Sequence, residues 1–274
     1  MARVLVACES SGRVRDAFAA AGHFARSVDL LPTESLPERV RFRGDFGCWR
    51  HKRFRPKCDD CVYDEPWCHR HGAYAYECPC LGPTEDEAEY ADTCEHGARH
   101  LSGDLFTVED IASYDLLIAH PPCTRLTNSG VRWLHVPPPG RTLQSMWDDL
   151  ALGAAFYCAV RDLPVRRKAI ENPVMHKYAR QLIQPGVRQV VQPYWFGEPA
   201  FKATGLELIG LPPLVPTNRL NPPASGTAEH RAWSQVHRAS PGPDRWKLRS
   251  KTYQGIADAM AAQWGPVADL RAAA

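Results

Sequence analysis

Cys123 is the residue around which chemistry is most readily drawn, and its neighbours say where it stands. The stretch Asp115 to Gly130 reads DLLIAHPPCTRLTNSG. Asp115 to Ala119 is a short apolar run of the kind that forms a buried strand. His120, Pro121 and Pro122 stop the ladder, because proline supplies no donor and restricts the residue before it. Cys123 is thereby delivered on a loop at the carboxyl end of a strand, where open α/β sheets place their chemistry. A thiol there is either a buried structural group or a nucleophile, and its company decides. Part of that company is Glu171-Asn172-Pro173, which ends another short strand, Lys168 to Ile170, and fixes a carboxylate by a proline.

A second group of reactive side chains lies between Thr33 and Ser102. Cys48, Cys58, Cys61, Cys68, Cys78, Cys80 and Cys94 fall there, with His51, His69, His71, His96 and His100 among them. Cys58-x-x-Cys61 and Cys78-x-Cys80 have the tight spacing that lets two thiolates meet one metal. A segment so poor in apolar residues needs a staple to order itself. One or two structural zinc ions are expected, held by Cys58, Cys61, Cys78 and Cys80, with Cys68, Cys94, His71 and His96 to complete the sites. Arg39 to Lys57 is basic, whereas the acidic run Glu85 to Glu95 reads as a solvated face.

These groups need elements to position them. Arg3 to Cys8 reads as a buried strand, followed by the small polar turn Glu9-Ser10-Ser11-Gly12. Val14 to Ala21 has helical spacing, with Gly22 to end it. The strand Ala25 to Val28 then ends at Asp29. Such a unit holds a nucleotide-like cofactor, the turn letting backbone approach and the carboxylate accepting from ribose hydroxyls; a generic βαβ unit has the same pattern. Arg141 to Val160 reads as a helix whose stripe Leu143, Met146, Leu150, Ala154 and Tyr157 is core. Val187 to Val191 and Gly205 to Ile209 read as strands, Leu211 to Pro243 as a proline-rich loop region, and Tyr253 to Trp264 as a closing helix. Arg219, Arg231, Arg238, Arg245, Lys247, Arg249 and Lys251, with Trp233 and Trp246 interleaved, suit phosphate contact and base stacking. Equally, the tryptophans could anchor the loop to the core.

Composition sets the bounds. The 274 residues can bury one core plus a small module. Hydrophobic residues at 44% and charged residues at 23% are ordinary for a globular chain. A net charge of +2 leaves affinity for nucleic acid to local patches. No signal-like or membrane-spanning run is present. Ten cysteines in an intracellular chain argue for metal or catalysis over disulfides. A cytoplasmic location is expected.

In their order, several fragments resemble the cytosine carbon-5 DNA methyltransferases that use S-adenosylmethionine, most closely the compact phage-type members. Pro122 to Gly130, PCTRLTNSG, resembles the catalytic loop PCQxFSxxG, and Glu171-Asn172-Pro173 resembles the ENP/ENV motif. Val6 to Phe18 resembles the first motif, with Ser10, Ser11 and Gly12 where glycines are usual. Asp104 matches the acid of the third motif, and Tyr253-Gln254-Gly255 resembles the last. Lys202 and Thr204, within Phe196 to Thr204, occupy the arginine places of a QxRxR element, and Ile256 replaces the usual asparagine. Only a short region precedes the last motif, where the family carries its sequence-reading domain.

The resemblance implies a class I methyltransferase (Rossmann-like) α/β fold over residues 1–32 and 103–274, interrupted by the zinc-binding insert 33–102. It implies Cys123, Glu171 and Asn172 as the catalytic set. Cys8, Glu9, Ser10, Ser11, Gly12, Asp29, Leu30, Asp104, Leu105 and Pro122 would hold S-adenosylmethionine, with Asp29 on ribose and Asp104 on the adenine amino group. Lys202, Thr204 and Arg125 would touch the substrate, DNA, whose recognition is reduced or moved into the insert. The enzyme is expected as a monomer in a bacterial or phage-infected cell. The Cys123 thiolate would add to carbon 6 of cytosine, which calls for an exposed, electropositive setting. Glu171 would carry a proton for ring nitrogen 3, so burial is expected to raise its pKa. The alternatives are the same chemistry on RNA or a free nucleotide, a modified sulfonium donor, or a non-catalytic zinc-containing nucleic-acid-binding protein.

Overall fold

Val4 to Ala7 and Leu116 to Ala119 are buried without alternation, and strands buried on both faces belong inside a sheet covered on two sides. The computed structural model describes residues 1–31, 34, 99–238 and 249–270. It also describes the backbone of four two-residue strands, Gly47–Cys48, Arg53–Phe54, Trp67–Cys68 and Ala73–Tyr74. In chain order the main elements are β1 (Arg3–Ala7), α1 (Arg13–Ala20), β2 (Phe24–Asp29), β3 (Arg99–Ser102), β4 (Leu116–Ala119), α2 (Leu143–Asp162) and β5 (Arg167–Pro173). These are followed by α3 (Lys177–Ile183), β6 (Arg188–Val191), β7 (Thr204–Ile209), α4 (Ala228–Trp233), α5 (Gln235–Arg238) and α6 (Gln254–Asp269).

The sheet runs β3-β2-β1-β4-β5-β7-β6. Neighbours from β3 to β5 are parallel, whereas β7 is antiparallel to both β5 and β6. This is a mixed seven-stranded α/β sheet of Rossmann-like order, covered by helices on both faces. The chain builds outward from β1 through β2 to β3, then returns to start β4 on the other side of β1. The switch between β1 and β4 opens a crevice beyond their carboxyl ends, where ligands bind in such sheets.

Alternation along each strand divides the core in two. Val4, Val6, Leu116, Ile118, Leu206 and Leu208 face α1 and α6, meeting Phe18, Met260 and Trp264. Leu5, Ala7, Leu117, Ala119 and Ile170 face α2 and α3, meeting Met146, Leu150, Tyr157 and Ile183. The helix α2 begins at Leu143 because Thr142 Oγ1 accepts from the Ser145 N–H and Ser145 Oγ accepts from the Thr142 N–H, a reciprocal cap. Leu143, expected in the core stripe, is 49% exposed, since this first turn projects past the core.

Four elements fall outside the sequence-based expectation: β3, α3, and the short helices α4 and α5, which interrupt the region read as a proline-rich loop. The strand β3 lies within the segment read as insert; its sequence RHLS carries little apolar pattern, and pairing with β2 holds it. The helix α3 is capped by His176, whose Nδ1 accepts from the Ala179 N–H at 3.1 Å. The proline-rich region is strapped at its start: Gln189 exchanges two hydrogen bonds with Leu214, and Trp264 Nε1 donates to the Pro212 carbonyl. Trp233 is buried against Tyr194 and Phe201. It therefore anchors the loop, and its ring is not available for base stacking; Trp246 lies outside the described residues. Among the described residues no helix is long and apolar enough to cross a membrane.

Candidate active site

Strand periodicity assembles the first half of the site. His120 follows Ile118 by two residues and Glu171 follows Ala169 by two, so both point to the α1/α6 face at the carboxyl ends of β4 and β5. Thr204 opens β7 at the same edge, because β7 runs the other way. His120, Glu171, Lys202, Thr204, Thr252 and Tyr253 line one narrow pocket, floored by Ile256 and Met260 of α6. Alternation sends Asn172 to the opposite face, outside this lining. It is fully buried, and neither polar atom of its side chain has a partner among the described residues.

His120 Nδ1 and Glu171 Oε2 are 2.7 Å apart, with side-chain exposures of 6% and 11%. Burial alone pushes the Glu171 carboxyl up, as the sequence led us to expect. The Lys202 ammonium and the hydrogen bond from His120 outweigh it and hold the group below the usual carboxylate range. Burial likewise opposes a charge on His120, but Glu171, helped by Glu9, keeps its pKa above the ordinary imidazole value despite Lys202. The expectation of a raised Glu171 pKa is thus corrected: the contact lowers the carboxyl and raises the imidazole, favouring the proton on His120 over Glu171. Lys202 is itself buried, its Nζ donating to the Lys251 carbonyl at 3.0 Å. Thr204 Oγ1 donates to the Lys202 carbonyl, so Thr204 braces this turn.

Cys123 lies close enough to this pair to feel it. Burial, then the negative charge of Glu171, raise the thiol above its ordinary value, against the opposing pull of Lys202 and Arg249. The resting form is therefore a thiol in a half-buried setting, not the exposed thiolate expected.

The Cys123 loop is fastened to its surroundings. The N–H groups of Leu126 and Thr127 donate back to the Cys123 carbonyl. His176 Nε2 bonds the Arg125 carbonyl at 2.7 Å, and the His176 N–H donates to the Leu126 carbonyl. Gly130 has no room for a Cβ against the Thr124 carbonyl oxygen. Arg125 does not reach the pocket; its Nε donates to Asp149 on α2, an oxygen shared with Arg141. Pro122 is exposed beside the thiol.

The second half of the site lies past β1, β2 and β3. Gly12 takes a left-handed φ of 71° at the start of α1, and Cys8 one of 58°. Glu9 and Ser11 are buried and turned inward: Glu9 Oε1 accepts from Ser11 Oγ and from the Arg13 N–H, while Oε2 has no partner among the described residues. The Ser10 carbonyl accepts from the Glu34 N–H. Burial, together with Asp29 and Asp104, pushes the Cys8 thiol up to about 12, so both carboxylates stand near it. Asp29 Oδ1 accepts from the Leu31 N–H and Asp104 Oδ1 from the Phe106 N–H. Leu30 is 78% exposed and Phe106 44%, giving the corner apolar flanks. Leu105 is buried in the core behind it.

Sequence reasoning passed over His120, Thr252 and Phe106. For His120 the signal was present: two residues past Ile118, it shares a face with whatever ends the neighbouring strand. The expected metal ligands Cys58, Cys61, Cys78, Cys80, Cys94, His71 and His96 lie outside the described residues, as does the side chain of Cys68. Among the described residues no three His, Cys, Asp or Glu side chains cluster to hold a metal.

No protein-family model matches the chain, and no curated protein sequence does. Among solved structures it is similar to a protein assigned as a DNA modification methyltransferase encoded within an E. coli prophage, with a TM-score of 0.39 and 13% identity. That similarity covers 81% of this chain and 52% of the other, so the chain spans about half the length of this neighbour.

Proposed function

We propose that the protein methylates carbon 5 of cytosine in DNA, with S-adenosylmethionine as donor. The observation that carries this reading is the pairing of two sites across the β1/β4 crevice. On one side Cys123 stands within electrostatic reach of Glu171, Lys202 and Arg249. On the other, Asp29 and Asp104 converge on Cys8. That acidic corner, with Glu9 Oε2, which has no partner among the described residues, beside the loop, suits a cationic ligand bearing a diol and an amino group. When bound, S-adenosylmethionine supplies a methyl group on its sulfonium. Asp29 would accept from the ribose hydroxyls and Asp104 from the adenine amino group, with Leu30 and Phe106 to flank the base.

Cys123, once ionised, adds to carbon 6 and makes carbon 5 nucleophilic. Its raised pKa means that ionisation waits for an occupant that offsets the negative charge of Glu171. The ionised Glu171 accepts hydrogen bonds, as from the exocyclic amino group of cytosine, and Lys202 supplies positive charge beside the ring. A base in duplex DNA must leave the stack to reach this pocket. The cysteine-rich segment 33–102 is read as a zinc module that contributes DNA contact.

Mass spectrometry of nucleosides after incubation with DNA and S-adenosylmethionine tests the reaction: 5-methylcytosine is expected. DNA containing 5-fluorocytosine should trap a covalent adduct in the wild type and not in Cys123→Ser. Methyl transfer by Cys123→Ser at the wild-type rate would overturn the reading.

A further inference from the structure

We propose that His120, oriented by Glu171, is the acid of this site and donates its Nε2 proton to the ring nitrogen of the base. The inference rests on the carbon-5 reading above and reassigns one of its roles. Three observations converge on it. His120 Nδ1 is already committed to Glu171 Oε2 at 2.7 Å, so the second ring nitrogen is the one left to act. That Nε2 is buried, has no partner among the described residues, and belongs to a side chain lining the pocket. An unpartnered buried donor costs stability unless an occupant satisfies it. Thr252 Oγ1, on the same pocket wall, is likewise buried and without a partner among the described residues.

Glu171 cannot do this work in the observed state. Lys202 and the hydrogen bond with His120 hold its pKa below the usual carboxylate range, and a carboxylate without its proton only accepts. A proton on Oε2 would also be directed at His120, away from the base. A carboxylate on Nδ1–H instead holds the ring in one orientation and favours its charged form. The charged and titratable groups acting on His120 are Glu171 from β5, Glu9 from the loop after β1 and Lys202 ahead of β7. Tyr253, at the start of α6, shares the pocket wall, and Cys123 stands on the loop that follows His120.

The bonds balance. As Cys123 Sγ, its proton given up to water, bonds carbon 6, the ring electrons move toward nitrogen 3, which takes the Nε2 proton and leaves a neutral imidazole still bonded to Glu171. Carbon 5 takes the methyl group of the sulfonium and loses its own proton to water. The carbon 6–sulfur bond then breaks, and nitrogen 3 returns its proton to Nε2.

The test uses the full chain. Nitrogen NMR of the His120 ring, assigned by the signals missing in His120→Gln, should show both ring nitrogens protonated at pH 7.5; the Glu171→Gln variant should lose this. Glutamine at 120 keeps an N–H for the pocket but has no proton to give. In His120→Gln the single-turnover rate should fall by about 10²–10⁴-fold, with DNA and S-adenosylmethionine binding close to wild type. The pH profile separates this from a structural role. The wild-type rate should climb with thiolate fraction and then level as His120 loses its proton, whereas the variant should keep climbing. A neutral His120 at pH 7.5, or a His120→Gln rate and profile equal to wild type, overturns the assignment. A wild type that makes no 5-methylcytosine overturns the functional reading instead, and the NMR arm still reports the charge on His120.

Discussion

Glu198 Oε1 accepts a hydrogen bond from the Gly255 N–H at 2.6 Å. This contact fastens the turn after β6 to the first residues of α6, and with them the Thr252 and Tyr253 wall of the pocket. The Phe196 carbonyl crowds the position that a Cβ on Gly255 would take. Gly255→Ala should therefore force the two segments apart and cost about 1–3 kcal/mol. Equilibrium urea unfolding measures it, and an unchanged midpoint would show that the seam yields freely.

The acidic corner makes a binding prediction. Asp29→Ala removes a partly buried charged acceptor, and S-adenosylmethionine affinity should drop by about 1–3 kcal/mol. Asp104→Ala should weaken it as well. Calorimetry that finds both variants at wild-type affinity would remove the proposed cofactor site.

The buried pair gives stability a pH window. The pKa of Glu171 is lowered in the folded state, so its contribution is present above the ordinary carboxylate value of 4.5 and is lost as pH falls through the lowered one. That of His120 is raised, so its share is full below the ordinary imidazole value of 6.5 and fades as pH rises through the raised one. The stability difference between wild type and Glu171→Gln should peak at about pH 4.5–6.5, near 3 kcal/mol. Unfolding curves across pH 3–9 that differ by a constant amount would contradict the pairing.

The cysteine-rich segment predicts metal. Protein purified without chelator should carry one or two zinc ions by elemental analysis, and none would refute the module. Replacing Lys52, Arg53 and Arg55 with alanine should weaken DNA binding on all sequences and flatten the salt slope by about 3, leaving S-adenosylmethionine affinity intact. An unchanged salt slope would remove DNA contact from this stretch.

The strands were legible wherever burial is continuous. Leu116 to Ala119 and Val4 to Ala7 have no polar residue to interrupt them, and Pro121 and Pro122 mark where the chain must leave the sheet. The strand β3 was hidden because it needs only backbone pairing with β2, which leaves no side-chain pattern. The positions of Cys123 and Glu171 at strand ends were legible for the same reason, but their protonation was not. It depends on Lys202, which is remote from Glu171 in sequence and reaches it only because β7 runs antiparallel beside β5. It depends also on His120, whose effect needs the register of β4 against β5. Trp233 was ambiguous for a different reason: an aromatic among arginines reads alike whether it packs inward on Phe201 or outward on a base.

The loop that carries Cys123 is knotted to α2 through Asp149 and to α3 through His176. Its conformational freedom is spent during folding, so capture of a target need not order it. On the proposed function, a thiol on such a fixed shelf cannot chase a base across the crevice; the nucleic acid must do the moving. The rate should accordingly track how easily the target base leaves its helix. Mismatched, nicked or single-stranded cytosines would react ahead of well-stacked ones, and stiffening the DNA would slow the enzyme more than stiffening the protein.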